Sequence, residues 1–400
     1  MIYGSLGRVW NLGDGYDLSD GLFLGQIIGR WYRFEYVASS LSSTRNPALS
    51  VFLEYQGDVS ARVKNVTFTR RITDSLAEPG HGYGSVVLQD DDGSFTQNGR
   101  SVIKQHDKIK IYAGWDSPAD SGSDLLPRFT GIVKESVIST DGSELTLSIQ
   151  DYGYLLKQAQ TSGNWSEFNT PDLMVTELLS RLYLGTPEWA FQSGDHITYS
   201  LATDELSRRN YWKLIHGATL GINYVFWFNE NGIMQLRPRH YTNDLELTLT
   251  DADMTWIRHE RPGKLINEKS FAMGDAAPPP WSGFMAGDHV RWGQAQYTQK
   301  DDIGQGLYGV FANFEAEEMI QDWQSIYRFV RDSVELFKYP REIYNVRLPA
   351  QPYIDILDLV GVKSDKYGIH GDMEVIGIQE NVTAGNYGQV LTLLSGRELR

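Results

Sequence analysis

Cysteine is absent from this 400-residue chain, which excludes a disulfide framework, a thiolate metal site, an iron–sulfur cluster and a thiol nucleophile. Long apolar runs are absent too. Spanning a bilayer takes about 20 consecutive apolar residues, and the densest stretch here is Tyr224-Val225-Phe226-Trp227-Phe228. No stable membrane insertion is expected. The N-terminus lacks the basic-then-apolar profile of a signal peptide, since Asp14, Asp17 and Asp20 follow quickly, so synthesis in the cytoplasm is the expectation. The N-x-[ST] matches beginning at Asn65, Asn164 and Asn381 then have no secretory context. Basic charge is in deficit: 36 Lys and Arg face 51 Asp and Glu, a net charge of −15. That opposes nucleic-acid wrapping, which calls for a basic footprint. It does not oppose a lumen through which nucleic acid slides without sticking.

Chemical signatures are also lacking. His259-Glu260 opens like a metalloprotease helix motif, but Arg261-Pro262-Gly263 breaks it and no second histidine follows at the required spacing. There is no G-x-S-x-G elbow, Walker phosphate loop or dinucleotide fingerprint. The eight histidines show no metal-ligand spacing. Asp90-Asp91-Asp92-Gly93 looks like the start of a calcium loop, yet the bidentate Glu that completes such a loop is missing, so it reads as a turn. No catalytic residue, cofactor or metal is expected.

What is present is glycine and aromatic residue. Against only 14 prolines stand 39 glycines and 12% aromatics, a composition for tight turns between short aromatic-rich strands. Two or three packed units are expected at this length. Residues 1–45 form a glycine-punctuated aromatic arm, with Phe23, Trp31, Tyr32, Phe34 and Tyr36, that ends in a serine-rich linker. From 46 to 158 the reading is β throughout: alternation from Arg62 to Thr69 directs Val63, and Phe68 after a bulge, to a core, and Lys108-Ile109-Lys110-Ile111-Tyr112 alternates cleanly. Residues 159–260 change period and make an α/β unit. Thr170-Pro171-Asp172 starts a helix that Gly185 ends, a second helix covers Glu205 to Thr219, and Asn229-Glu230-Asn231-Gly232 turns a hairpin. Residues 261–314 connect, and within them 274–309 reads as a long loop carrying Pro278-Pro279-Pro280. Loops this long are often functional. Its Trp281, Phe284, Met285, Trp292 and Tyr297 are residue types enriched at interface centres and form the candidate partner surface. Residues 315–400 begin with Met319, Trp323, Ile326, Val330, Val334 and Phe337 at helical spacing, a helix of about six turns ended by Pro340, before β alternation returns.

Two segments repeat. His106-Asp107-Lys108-Ile109-Lys110-Ile111 parallels Leu357-Asp358-Leu359-Val360-Gly361-Val362. Each is followed by a glycine-marked strand, Gly131-Ile132-Val133 and Val375-Ile376-Gly377-Ile378. Each then closes with Leu145-Thr146-Leu147-Ser148 or Leu391-Thr392-Leu393-Leu394. In each copy the Asp side chain is expected to cap the backbone N–H two residues on. The fold class follows: a β-rich α+β protein with two similar small antiparallel β-barrels, separated by an α/β insert and a long amphipathic helix.

The order of segments in the first half carries a resemblance. Phe68-Thr69-Arg70-Arg71, Pro79-Gly80 and Ser85-Val86-Val87-Leu88 lead to Asp92-Gly93-Ser94-Phe95-Thr96-Gln97-Asn98. Asp107 before Ile109-Lys110-Ile111, Phe129-Thr130-Gly131, and Gln150-Asp151 ahead of Leu155-Leu156 follow. This succession resembles the first barrel of bacteriophage tail hub proteins, also called baseplate hub or tail-tip minor tail proteins. In the second half, Tyr211-Trp212-Lys213-Leu214-Ile215 before Asn231-Gly232-Ile233-Met234 is similar to the hub's middle region. Leu348-Pro349-Ala350-Gln351-Pro352 ahead of Leu357-Asp358-Leu359-Val360 is similar to its second barrel entry. The resemblance covers about residues 60–260 and 315–397. It departs at Leu357, where glycine usually stands beside the Asp, and the arm and the 274–309 loop have no counterpart in it.

The resemblance implies a homotrimer in which two barrels per chain make six around a ring, so that a six-fold tail tube docks on a three-fold tip. It implies tail tube and distal tail proteins as partners, with a spike, fibre or tape-measure protein beyond, DNA only in passage, and a place in the virion at the tail tip or baseplate. Asp92, Gly93, Phe95, Asn98, Asp107, Gly131, Asp151 and Asp358 would be family turn residues of the barrels. Two other classes stay open. A wall- or polysaccharide-cleaving tail enzyme would use the 274–309 loop as a sugar groove with Asp288, Asp301 or Asp302 nearby, and a receptor-binding module would use the same aromatics as stacking platforms.

Overall fold

Period-two alternation fixes where each strand's core face lies, and a computed structural model of the chain shows how those faces meet. It describes residues 22–24, 34–36, 46–72, 80–116, 125–161, 170–190, 209–220, 222–238, 245–263, 265–273, 296–308, 310, 312–317, 323–383 and 385–396. The chain divides into two units, Met1–Arg45 and Asn46–Arg400. In the first, strands β1 (Leu22–Leu24) and β2 (Phe34–Tyr36) pair antiparallel. The side chains of the aromatic arm lie outside the described residues.

The second unit opens with β3 (Asn46–Leu53), β4 (Gly57–Asp58), β5 (Val63–Arg71) and β6 (His81–Gln89). A small hairpin of β7 (Thr96–Gln97) and β8 (Arg100–Ser101) follows, then β9 (Lys108–Asp116), β10 (Leu126–Ile138) and β11 (Glu144–Gln150). The expected bulge is present between Val63 and Asn65. It turns Val66 and Phe68 into a core with Ile109, Ile111, Leu145, Leu147 and Ile149 and leaves Val63 at the margin.

Residues 153–238 supply helices α1 (Gly153–Gln158), α2 (Pro171–Arg181) and α3 (Tyr211–Leu220), with β12 (Glu188–Trp189) on one side of the β13 (Tyr224–Phe228)–β14 (Met234–Pro238) hairpin. Thr170 precedes α2 in extended conformation, but its hydroxyl bonds to Asp172 rather than to a backbone N–H. The stop comes at Tyr183, whose φ of 55° breaks the helical path before Gly185 is reached. The second helix begins at Tyr211, later than expected, and residues 201–208 lie outside the described ones. Strand β13 is buried on both faces: Tyr224, Phe226 and Phe228 pack with the helices, while Val225 and Trp227 join the core of the C-terminal half. A strand between two cores has no polar face to show, which explains the densest apolar run in the sequence.

Strands β15 (Leu245–Thr250) and β16 (Trp256–Pro262) come next. A separate three-stranded sheet holds β17 (Glu268–Met273) between β18 (Gln296–Lys300) and β19 (Ala312–Glu317), with helix α4 (Asp302–Tyr308) between the last two in sequence. The second part of the expected 274–309 loop is therefore regular structure, because 296–300 finds a pairing partner in β17. Within the described residues helix α5 (Trp323–Phe337) has 15 residues, about four turns, and Met319, where the expected pattern begins, lies outside them. Its Ile326, Phe329, Val330 and Phe337 pack with α2 and α3 in one core, so this face is covered within its own chain. Strands β20 (Glu342–Pro349), β21 (Leu359–Ser364), β22 (Ile369–Thr383) and β23 (Asn386–Ser395) complete the fold.

The two expected barrels are not separate closed objects. One 13-stranded sheet runs β16-β20-β23-β22-β5-β6-β11-β10-β9-β3-β4, with β15 beside β21 and β21 beside β22. The physical reason is the length of β22, which spans 15 residues. On one edge, Ile369 to Glu374 pair with β21, and Gly377 to Thr383 continue past it to pair with β5.

Candidate assembly surface

The repeat becomes concrete at two Asp turns. The Asp107 carboxylate accepts the Lys104 N–H at 2.8 Å, and its backbone N–H reaches the Lys104 carbonyl at 3.2 Å. Asp358 does the same with Asp355, at 2.6 and 3.3 Å. The Val133 N–H donates to the Asp107 carbonyl and the Val375 N–H to the Asp358 carbonyl, each at 2.9 Å. His106 and Leu357, one residue before each Asp, have φ of 72° and 68°. The carboxylate thus ties the turn three residues back, not two residues on. Leu357, where the resembling family carries glycine, pays the left-handed strain that glycine avoids. These bonds align Val133 with Val375, so Gly131 and Gly377 are not counterparts. Gly131 lies beside β11, where an added Cβ would sit 2.1 Å from the Gln150 carbonyl oxygen, and Gly377 marks the β22 bulge. Asp107→Ala and Asp358→Ala should each cost about 1–3 kcal/mol, because each leaves a partly buried N–H without its acceptor. Urea unfolding measures this, and one strongly destabilised variant beside one neutral variant would show that the turns are not equivalent.

The Asp92-Gly93-Ser94-Phe95 turn is organised by Asp90, the first residue of the acidic run. Asp90 is buried, accepting the Phe95 N–H at 2.8 Å and the Thr96 hydroxyl at 2.6 Å. Gly93 takes φ 67° and Phe95 drops into the first core. Asp92 stays outside, held at about 2 by its hydrogen bond from Arg62, with Ser94 assisting. Asn98 and Gly99 turn the β7–β8 hairpin with φ of 52° and 71°, the left-handed pair that such turns require. Asp151 is buried at the start of α1. Its carboxylate accepts the Gly82 N–H and, at 2.9 Å, the Gly153 N–H, while burial pushes its pKa up to about 7.

Where the halves meet, the charges are buried. Arg128 of β10 donates through Nε to both Glu380 oxygens at 3.1 Å, through Nη2 to Glu380 again, and through Nη1 to the Pro352 carbonyl. The Tyr387 hydroxyl donates to Glu380 at 2.6 Å. Burial alone would raise the Glu380 pKa, but the Arg128 charge and these hydrogen bonds outweigh it and hold it below the usual range. On the strand that pairs with β22, Arg70 of β5 lies opposite Ile378 and bonds to Glu230 in the β13–β14 turn and to Asp355, both at 3.0 Å. These pairs join the N-terminal strands, the middle hairpin and the C-terminal strands.

A cleft of about 630 Å³ is lined by Thr67, Thr69, Arg71, Tyr83, Trp256 and Thr392, among others, and Arg71 reaches Glu260 at 3.7 Å across it. Of the candidate partner residues, Trp281, Phe284, Met285 and Trp292 lie outside the described residues, as does Asp288. Tyr297 stands on β18 opposite Phe271. The structure brings the Asp90–Asn98 turn, Asp107, Gly131 and Asp151 to the first half and Asp358 to the second, and gathers them into no single cavity.

No protein-family model and no curated protein matches the chain. Solved structures do. The tail protein from Neisseria meningitidis superposes with a TM-score of 0.57 at 11% identity, covering 88% of this chain and 96% of that one. The 43 kDa tail protein of prophage MuSo2 from Shewanella oneidensis gives 0.56 at 12% identity, covering 86% and 97%. A prophage tail protein from Listeria monocytogenes gives 0.55 at 11% identity, covering 88% and 95%. The fold is that of phage tail proteins, along nearly the whole length of each, and the resemblance drawn from the sequence holds at that level.

Proposed function

We propose that this chain, with its phage-tail fold, is a structural hub of a tail tip or baseplate, acting as a homotrimer that joins the tail tube to the spike or fibres. The observation that carries this reading is the repeat: β5-β6-β11-β10-β9 and β16-β20-β23-β22-β21 are the same strand order, laid end to end in one sheet. Three chains supply six such modules, which lets a ring of three subunits present six matching contacts to a six-fold tube. The net charge of −15 suits the wall of a wet channel, since it would repel DNA phosphates during passage. The middle α/β unit and residues 274–309, with Trp281, Phe284, Met285, Trp292 and Tyr297, are left for the spike, fibre or tape-measure protein. The role is structural, not catalytic, and the place is the virion tail tip. The test is symmetry. Class averages of the protein with its tube partner should show a three-fold particle capping six-fold rings; a stable monomer that cleaves wall polymer would overturn the reading.

A further inference from the structure

Thr67, Thr69 and Arg71 alternate on β5 with the buried Val66, Phe68 and Arg70, so they stand on the face turned away from the first core. Register carries that face across the sheet. Thr69 lies between Tyr83 of β6 and Gln379 of β22, then come Val390 of β23, Arg347 of β20 and Trp256 of β16, each opposite the last. The row has an aromatic ring at either end, and all of it but Arg347 lines the 630 Å³ cleft. The neighbouring row is already bonded. Thr392 donates to Asn345 and Asn345 to Glu260, each at 3.0 Å, and Arg71 comes within 3.7 Å of Glu260. Gly377 makes the room: a Cβ there would stand 3.1 Å from Thr392 and 3.4 Å from the Arg71 stem. Four strand spacings separate β5 from β16, about 19 Å in a flat sheet. Contact between Arg71 and Glu260 therefore requires the sheet to bend towards this face.

We propose that this cleft binds a neutral oligosaccharide. The inference goes beyond the hub reading and does not depend on it. A sugar ring offers an apolar C–H face and a rim of hydroxyls. Tyr83, 46% exposed and stacked on His81 with 16° between the planes, and the half-buried Trp256 supply platforms for the face. The side chains of Thr69, Ser85, Gln379 and Arg71 make no hydrogen bond among the described residues, and they supply donors and acceptors for the rim. The volume lies within the range of about 300–1,000 Å³ for small-molecule sites. Other occupants fit worse. Strands β6, β5, β22, β23 and β20 are each paired on both edges, so an extended peptide has no edge to join here. Arg71 is offset by Glu260, and the chain carries a net charge of −15, so the floor lacks the basic surplus that a phosphate backbone calls for.

The full chain, applied to an array of defined neutral oligosaccharides spanning gluco, galacto, manno and N-acetylated rings, should bind at least one of them. Calorimetric titration with that sugar then locates the site. Tyr83→Ala and Gln379→Ala, both at exposed positions, should each weaken binding about tenfold without lowering the melting temperature. Tyr83→Phe should keep most of the affinity, because the ring and not the hydroxyl forms the platform. Tyr55→Ala, which removes a ring 74% exposed between β3 and β4, should leave binding intact. Failure to bind any sugar on the array overturns the proposal, as does binding that survives both Tyr83→Ala and Gln379→Ala. Binding of an oligothymidylate or an unstructured Gly-Ser peptide in place of any sugar overturns it too. The symmetry of the particle is measured separately, so a failed cleft leaves the hub reading standing.

Discussion

Glu380→Ala should cost about 3–5 kcal/mol of folding stability, the penalty for leaving a buried charge without its partner. Arg128 and Glu380 are 2% and 0% exposed, so no water replaces the lost carboxylate, and the Tyr387 hydroxyl loses its acceptor with it. Arg128→Ala should cost as much. Replacing both, as Arg128→Met with Glu380→Leu, should recover most of the loss, because a buried pair is worth little against apolar groups that fill its space. A pH dependence accompanies this. The folded pKa of Glu380 lies below its ordinary 4.5, so its contribution is complete above that value and is lost as pH falls through the depressed one. Urea titrations across this range measure it. A Glu380→Ala protein within about 0.5 kcal/mol of the parent, the scatter of ordinary surface substitutions, would show that the cluster does not hold the halves together.

Phe329→Ala on α5 should cost about 3–5 kcal/mol, the range for deleting a buried aromatic ring. Phe329 is 2% exposed within the core of the middle unit, and the Lys269 ammonium sits 5.0 Å from the ring centre. The helix pattern alone leaves two readings, a face turned to another subunit or a face turned inward, and this variant separates them. Lowered melting of the monomeric unit fits the inward face. Unchanged melting with a loss of assembly would put Phe329 at a subunit boundary instead.

Much of the fold was legible because local alternation and turn chemistry act over a few residues. Phe68 after a bulge, Ile109 with Ile111, the hairpin closed by Gly232, and the two Asp turns all follow from spacing, whereas Val63 sits at the margin and Val66 takes its place in the core. Errors fell where local signals compete. Thr170 precedes α2 but bonds Asp172 instead of capping, and residues 296–308 lose their loop character to a strand and a helix because β17 offers an edge. In the closing strands Leu391 corresponds to Leu147 and not to Leu145, a two-residue slip that keeps the same face inward and so leaves no trace in the hydrophobic pattern.

The sequence by itself determined the strand-rich class, the duplication and the absence of a thiol site, since composition and period-two patterning depend on neighbours a few positions apart. Only the tertiary structure decided that the two modules are one open sheet, and that Arg128 meets Glu380 and Arg70 meets Glu230 and Asp355. Arg128 and Glu380 stand 252 residues apart, and Arg70 stands 160 from Glu230. A charge on a strand reads as a solvated face until its partner is known, and no periodicity links residues so distant.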